Sequence, residues 1–173
     1  MAILSDFAIY NCREGGRNAV EKFMAEAPPP PGSLERTILE GMLRARYSLF
    51  AVERITGAVG IEMKDLWRGD TVRLADRGFH DTAPRGLCLA TRIIPLPQFA
   101  ITGGAALPLT IADAGNVERA LTPLLGRNFQ ARWHTLTSAK EANMVALIIR
   151  KLLAQGATEH ILYEMPKGTE PER

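Results

Sequence analysis

The stretch VGIEMKDLWRGDTVRLAD, Val59 to Asp76, decides how this chain is read. Ile61, Met63, Asp65 and Trp67 fall on every second position, and Val72 and Leu74 resume the alternation after a gap. A period of two puts successive side chains on opposite faces of an extended strand. Between the runs stand Arg68, Gly69 and Asp70, where glycine reaches positive φ at little cost. The stretch reads as two strands joined by a hairpin turn. Arg-Gly-Asp is also a cell-adhesion tripeptide, but that role needs an exposed loop on a secreted protein, and turn chemistry already accounts for the glycine and its polar neighbours.

Working outward, the same alternation marks YSLFAVERI (47–55), the run TVRLADRGF (71–79), GLCLATRIIPL (86–96) and QFAITGG (98–104), with Gly57, Gly86 and Gly103-Gly104 punctuating the links. Short strands with tight connections predict a five- to six-stranded antiparallel meander over 47–110, as a sheet or curled into a small open barrel.

On both sides the apolar period lengthens to that of a helix. Ser5 or Asp6 can cap a helix over FAIYNCR, and RNAVEKFMAEA carries Val20, Phe23, Met24 and Ala27 on one stripe. Pro28 to Pro31 with Gly32 stop it and act as a stiff spacer. A third helix is expected from Ser33 to Arg46, with Leu34, Ile38, Met42 and Ala45 aligned. Beyond the sheet, Thr110 or Asp113 can cap VERALTPLLG, which Pro123 should shorten. Ser138 with Glu141 forms a capping-box pattern opening AKEANMVALIIRKLLAQG, which ends at Gly156. The expectation is one α+β domain over 1–165: N-terminal helices in 1–46, the β region in 47–110, and C-terminal helices in 111–156 packed on it. The composition of PKGTEPER predicts a disordered tail over 166–173.

Charge narrows the function classes. The 173 residues carry a net charge of +2, and the largest local excess is six basic against three acidic groups over 111–156. That is thinner than the basic stripe of most nucleic-acid surfaces. Cys12 and Cys88 are too few and too isolated for a disulfide framework or a zinc site, and fit a reducing cytoplasmic setting. No apolar run reaches the roughly 20 residues of a membrane span, and MAILSDFAIYNCREGG lacks the basic region and unbroken apolar core of a signal peptide.

Catalytic chemistry is not written in any local motif. His80, His134 and His160 lack metal-ligand spacing to another His, Cys or carboxylate. ITGGAALP has adjacent glycines but no following lysine or helix, so it reads as a bend rather than a phosphate loop. Asp76, His80 and Asp81 form the one acid–base cluster, set against the plainer reading of a solvated loop. No catalytic residue, metal or cofactor is assigned, so an enzyme with a tertiary site around His80 stands third behind two non-enzymatic readings. In the first, Val145, Ile148, Ile149 and Leu152 form an apolar stripe, widened by Met144, Leu147 and Leu153, that must be covered by the sheet or by another subunit. A subunit there would make the chain a self-associating or protein-docking module, with a homodimer predicted. In the second, Arg54, Arg73 and Arg92 line an exposed sheet face near Trp67 or Phe79, extended by Arg127, Arg132, Arg150 and Lys151, as in a barrel that binds single-stranded nucleic acid. Against it stand cross-strand ion pairs with Glu53, Glu62 and Asp76 on a solvated face.

The first strand YSLFAVE, the K-D-L before the turn, the strand R-G-L-C-L-A-T-R and the ending G-G-A-A-L-P resemble a domain of uncharacterised bacterial proteins, some of which carry a SEC-C zinc motif. The resemblance covers roughly residues 44–109. It implies this fold and a bacterial cytosolic setting, and no activity. The SEC-C cysteine cluster is absent from this chain, so zinc is not implied.

Overall fold

Short polar residues open five of the described helices. Asn18 caps α2 (Ala19–Glu26) in a reciprocal box, the Glu21 amide donating to Asn18 Oδ1 at 2.9 Å and the Asn18 amide to Glu21 Oε2 at 3.1 Å. Ser33 caps α3 (Leu34–Leu43), and Thr110 with Asp113 forms a second box at α5 (Ile111–Leu125). Thr137 caps α6 (Ser138–Ala154), one residue before the predicted cap. Pro123 lies inside α5 without ending it, and Gly126 follows the helix with a φ of 82°. The remaining helices are α1 (Ala2–Asn11) and the short α4 (Arg77–Thr82). The computed structural model describes residues 2–82, 85–126 and 136–157. The expected tail over 166–173, His134, His160, Arg127 and Arg132 lie outside them.

The five strands among the described residues are β1 (Arg46–Thr56), β2 (Gly60–Asp65), β3 (Thr71–Ala75), β4 (Cys88–Pro95) and β5 (Ala100–Leu109). They close into a barrel in the order β1-β2-β3-β5-β4. All pairings are antiparallel except β3 with β5, which run parallel and share the single pair Leu74 and Ala100. The α+β class holds, but the strands do not form a simple meander. The run TVRLADRGF stops being a strand at Ala75, because the Asp76 carboxylate accepts from the Phe79 amide at 3.0 Å and starts α4. That helix separates β3 from β4, and β5 takes the place between them. Five strands in this order, with a helix between the third and the fourth, have the connectivity of an OB-type barrel.

Alternation then sorts the core into two layers. Phe50, Val52, Ile61, Met63, Val72, Leu74, Ile93 and Ala100 fill the barrel. The opposite faces of β1, β4 and β5, carrying Tyr47, Leu49, Cys88, Ala90, Leu107 and Leu109, pack outward against α5 and α6. Val145, Ile148, Ile149 and Leu152 belong to this outer cluster, with Met144, and are buried. The cover that so broad a stripe requires is therefore this chain's own barrel together with α1 and α5. Gly41 lets α3 approach the end of β4, since a Cβ there would sit 2.7 Å from the Pro95 carbonyl oxygen and 2.9 Å from Leu96 Cδ2. Among the described residues no helix is long and apolar enough to cross a membrane.

Candidate functional site

The turn at Arg68-Gly69-Asp70 is built around a buried carboxylate. Asp65 ends β2 fully enclosed and accepts from Ser48 Oγ at 2.7 Å, the Trp67 amide at 3.1 Å, the Arg68 amide at 3.0 Å and Arg68 Nη1 at 3.2 Å. Gly69 takes a φ of 75° to complete the reversal. The Arg68 side chain is only 10% exposed, folded back on Asp65 rather than displayed, so an adhesion signal has no support in this geometry.

The three arginines assigned to one sheet face part company. Arg92 lies on the outward side of β4, but α1 covers that side and leaves the residue 1% exposed. Its Nε donates to Asp6 Oδ1 and Oδ2 at 3.1 and 3.0 Å, its Nη2 donates to Asn11 Oδ1 at 2.7 Å, and its guanidinium lies 4.2 Å from the Tyr10 ring centroid. Arg92 is thus a buried clamp and Asp6 its partner rather than a helix cap. Burial pushes the Tyr10 phenol up to about 12, so it stays protonated. Arg54 does face solvent, yet its guanidinium forks onto Glu62, with Nη2 donating at 2.8 and 2.7 Å to the two carboxylate oxygens. Glu62 pairs in register with Arg73 on its other side, giving a row of alternating charge across β1, β2 and β3. Arg73 is exposed and has no ion pair among the described residues. Arg150 and Lys151 are exposed on α6.

Of the Asp76, His80 and Asp81 group, two side chains are described, and each has its own partner. Asp76 caps α4 and accepts from Thr102 Oγ1 at 3.4 Å, and His80 Nε2 lies 3.1 Å from the Gly57 carbonyl oxygen. The Asp81 side chain lies outside the described structure. No three His, Cys, Asp or Glu among the described residues could hold a metal ion together. Cys88 is buried on the outer face of β4, and burial pushes its thiol up, away from the reactive thiolate.

What the fold does assemble is a cleft of about 370 Å³ at the seam of the barrel, where Thr71 to Arg73 of β3 have no β5 partner. Its walls come from three places. Arg44 and Arg46 arrive from the junction of α3 and β1, Asp70 and Arg73 from the β2–β3 turn and β3, and Leu96 and Phe99 from the β4–β5 hairpin. The Leu96 amide donates to the Phe99 carbonyl at 2.8 Å and closes that hairpin. Phe99 is left 41% exposed at the rim. Three arginines face one aspartate here, and Arg44, like Arg73, has no ion pair among the described residues. Of the described arginines chosen from sequence, only Arg73 reaches this cleft. Arg44, Arg46 and Phe99 were missed, although RAR at a helix–strand junction and an aromatic in the turn PLPQFA were the available signals.

Such a molecule is a small-barrel protein with a helical layer on one side and a cationic, aromatic-rimmed cleft at its seam. Residues 1–123 match the model of a family described as "Family of unknown function (DUF7986)", and the chain belongs to that family. Every residue named in the cleft lies inside the matched span. A search of curated proteins and a search of solved structures each found no match.

Proposed function

We propose that this protein binds single-stranded nucleic acid in the seam cleft. The observation that carries the reading is that Arg44 and Arg73, cations with no ion pair among the described residues, line one cleft with the exposed ring of Phe99. Single-strand binders combine cations that track the phosphate backbone with aromatic faces on which unpaired bases stack. OB-type barrels use the face around the second and third strands and the loop between the fourth and fifth, and the cleft draws on β3 and on that loop. This topological support is analogy; the side chains supply the chemistry. The α6 stripe, turned to the barrel, leaves self-association without the surface it was given.

A volume of about 370 Å³ suits roughly one unstacked nucleotide, and the duplex, with its bases stacked inside, offers Phe99 nothing. Fluorescence anisotropy with a labelled oligothymidine at low salt tests this directly. The oligomer is expected to bind more tightly than a duplex of equal length, and Phe99→Ala should lose about 1–3 kcal/mol of that affinity. Unchanged binding in Phe99→Ala, or equal binding to the duplex, would overturn the proposal.

A further inference from the structure

Arg46 holds the least settled contact in the cleft. Its Nη2 lies 2.5 Å from Asp70 Oδ2 and 3.6 Å from Asp65 Oδ2, while its Nε is buried with no hydrogen-bond partner among the described residues. The two carboxylates differ in how firmly they are held. Asp65 is satisfied without Arg46 by Ser48, Trp67 and Arg68. The Asp70 side chain is 47% exposed, and Arg46 is its one hydrogen-bond or ion-pair partner among the described residues. Its backbone, by contrast, is anchored, because the Asp70 carbonyl accepts from the Asp65 amide at 2.9 Å. The carboxylate can therefore swing out into solvent without disturbing the turn.

We infer that Asp70 is a built-in competitor, its carboxylate occupying on Arg46 the position that a phosphate of the bound strand takes. This rests on the proposed single-strand function and adds to it a phosphate subsite and a residue that sets its affinity. Carboxylate and phosphate oxygens present the same acceptor geometry to a guanidinium. Binding exchanges one for the other, so the strand must displace an acid that the free protein already holds close to its arginine. The contact is half-exposed, which keeps the exchange inexpensive. It also makes the cleft selective, because a weakly held anion without a stacking base gains too little to evict Asp70.

The test is the same anisotropy titration on five proteins: wild type, Asp70→Asn, Glu53→Gln, Arg46→Gln, and Asp70→Asn on the Arg46→Gln background. Glu53 is exposed on β1 away from the cleft lining and controls for the change in net charge alone. Asp70→Asn is expected to tighten oligothymidine binding about three- to tenfold, since exposed pairs are weak but the ligand is anionic. Glu53→Gln should change it less than about twofold, and the gain should vanish when Arg46 is gone. Equal gains from Asp70→Asn and Glu53→Gln, no gain at all, or a gain that survives Arg46→Gln would each overturn the inference while wild-type binding and its dependence on Phe99 leave the cleft reading intact. If Arg46→Gln does not fold, the comparison of Asp70→Asn with Glu53→Gln decides alone. Absence of binding by both wild type and Asp70→Asn would remove the functional reading and this inference together.

Discussion

Replacing Arg92 by methionine is expected to cost about 3–5 kcal/mol of folding stability at pH 8, the usual penalty for stranding one member of a buried ion pair. The side chain is 2% exposed and ties α1 to β4 through Asp6 and Asn11. Methionine keeps most of the volume, so the loss comes from charge and hydrogen bonding rather than from a cavity. What remains is a buried Asp6. Burial already pushes its carboxyl above the ordinary carboxylate value, and Arg92 is the one charge that pulls it back. Without Arg92 that rise grows. A carboxyl whose folded value is raised contributes stability fully present below its unfolded value and lost as pH climbs through the folded one. The variant should therefore be more stable near pH 5 than at pH 8. Adding Asp6→Leu should restore most of the loss at both pH values, since an apolar pair avoids the desolvation of two charges. Urea unfolding with an unchanged m-value reads all of this. A loss that is equal at both pH values and is not repaired by Asp6→Leu would mean that Arg92 acts by shape alone.

The second large effect belongs to the cleft. Arg44→Glu with Arg73→Glu is expected to weaken oligothymidine binding by about 100-fold or more at moderate salt, each contact being worth roughly a factor of ten and reversal adding repulsion. The log–log salt dependence should flatten by about 1.4, from 0.7 per phosphate contact on a single strand. Both residues are exposed and have no ion pair among the described residues, so the stability cost should stay near or below about 1 kcal/mol, most of it from placing a second glutamate opposite Glu62 on the neighbouring strand. The same reversal at Arg54 should matter far less, because Glu62 already holds that guanidinium. Loss of affinity on Arg54→Glu comparable to that in the cleft would move the binding face to the open strands β1 and β2.

Periodicity carried the strand and helix assignments, because alternation at Ile61, Met63 and Asp65 and the stripe from Met144 to Leu152 are properties of local chain geometry. What covers a face is not local. The α6 stripe has the same composition whether a barrel or a second subunit lies on it, and only the folded chain shows the barrel. Arg92 reads as solvent-facing because it alternates with buried neighbours, yet α1, more than 80 residues earlier, brings Asp6 over it. The closure of the barrel was equally hidden. It depends on Asp76 starting a helix where alternation continued, which frees β5 to pair with β3. The cleft joins residues of the α3–β1 junction, β3 and the β4–β5 hairpin, so no window of sequence contains it. A charged pair at a helix–strand junction and an aromatic between prolines and a strand are weak signals until the fold brings them within reach of each other.

The most direct test of the seam cleft is to follow the backbone amide resonances of the whole protein while adding unlabelled oligothymidine at low salt. Shifts concentrated at Arg44 to Arg46, Thr71 to Arg73 and Gln98 to Ala100, fading as salt is raised, are the predicted result. An unperturbed spectrum, or shifts gathered on the exposed face of α6 around Arg150 and Lys151, would contradict it.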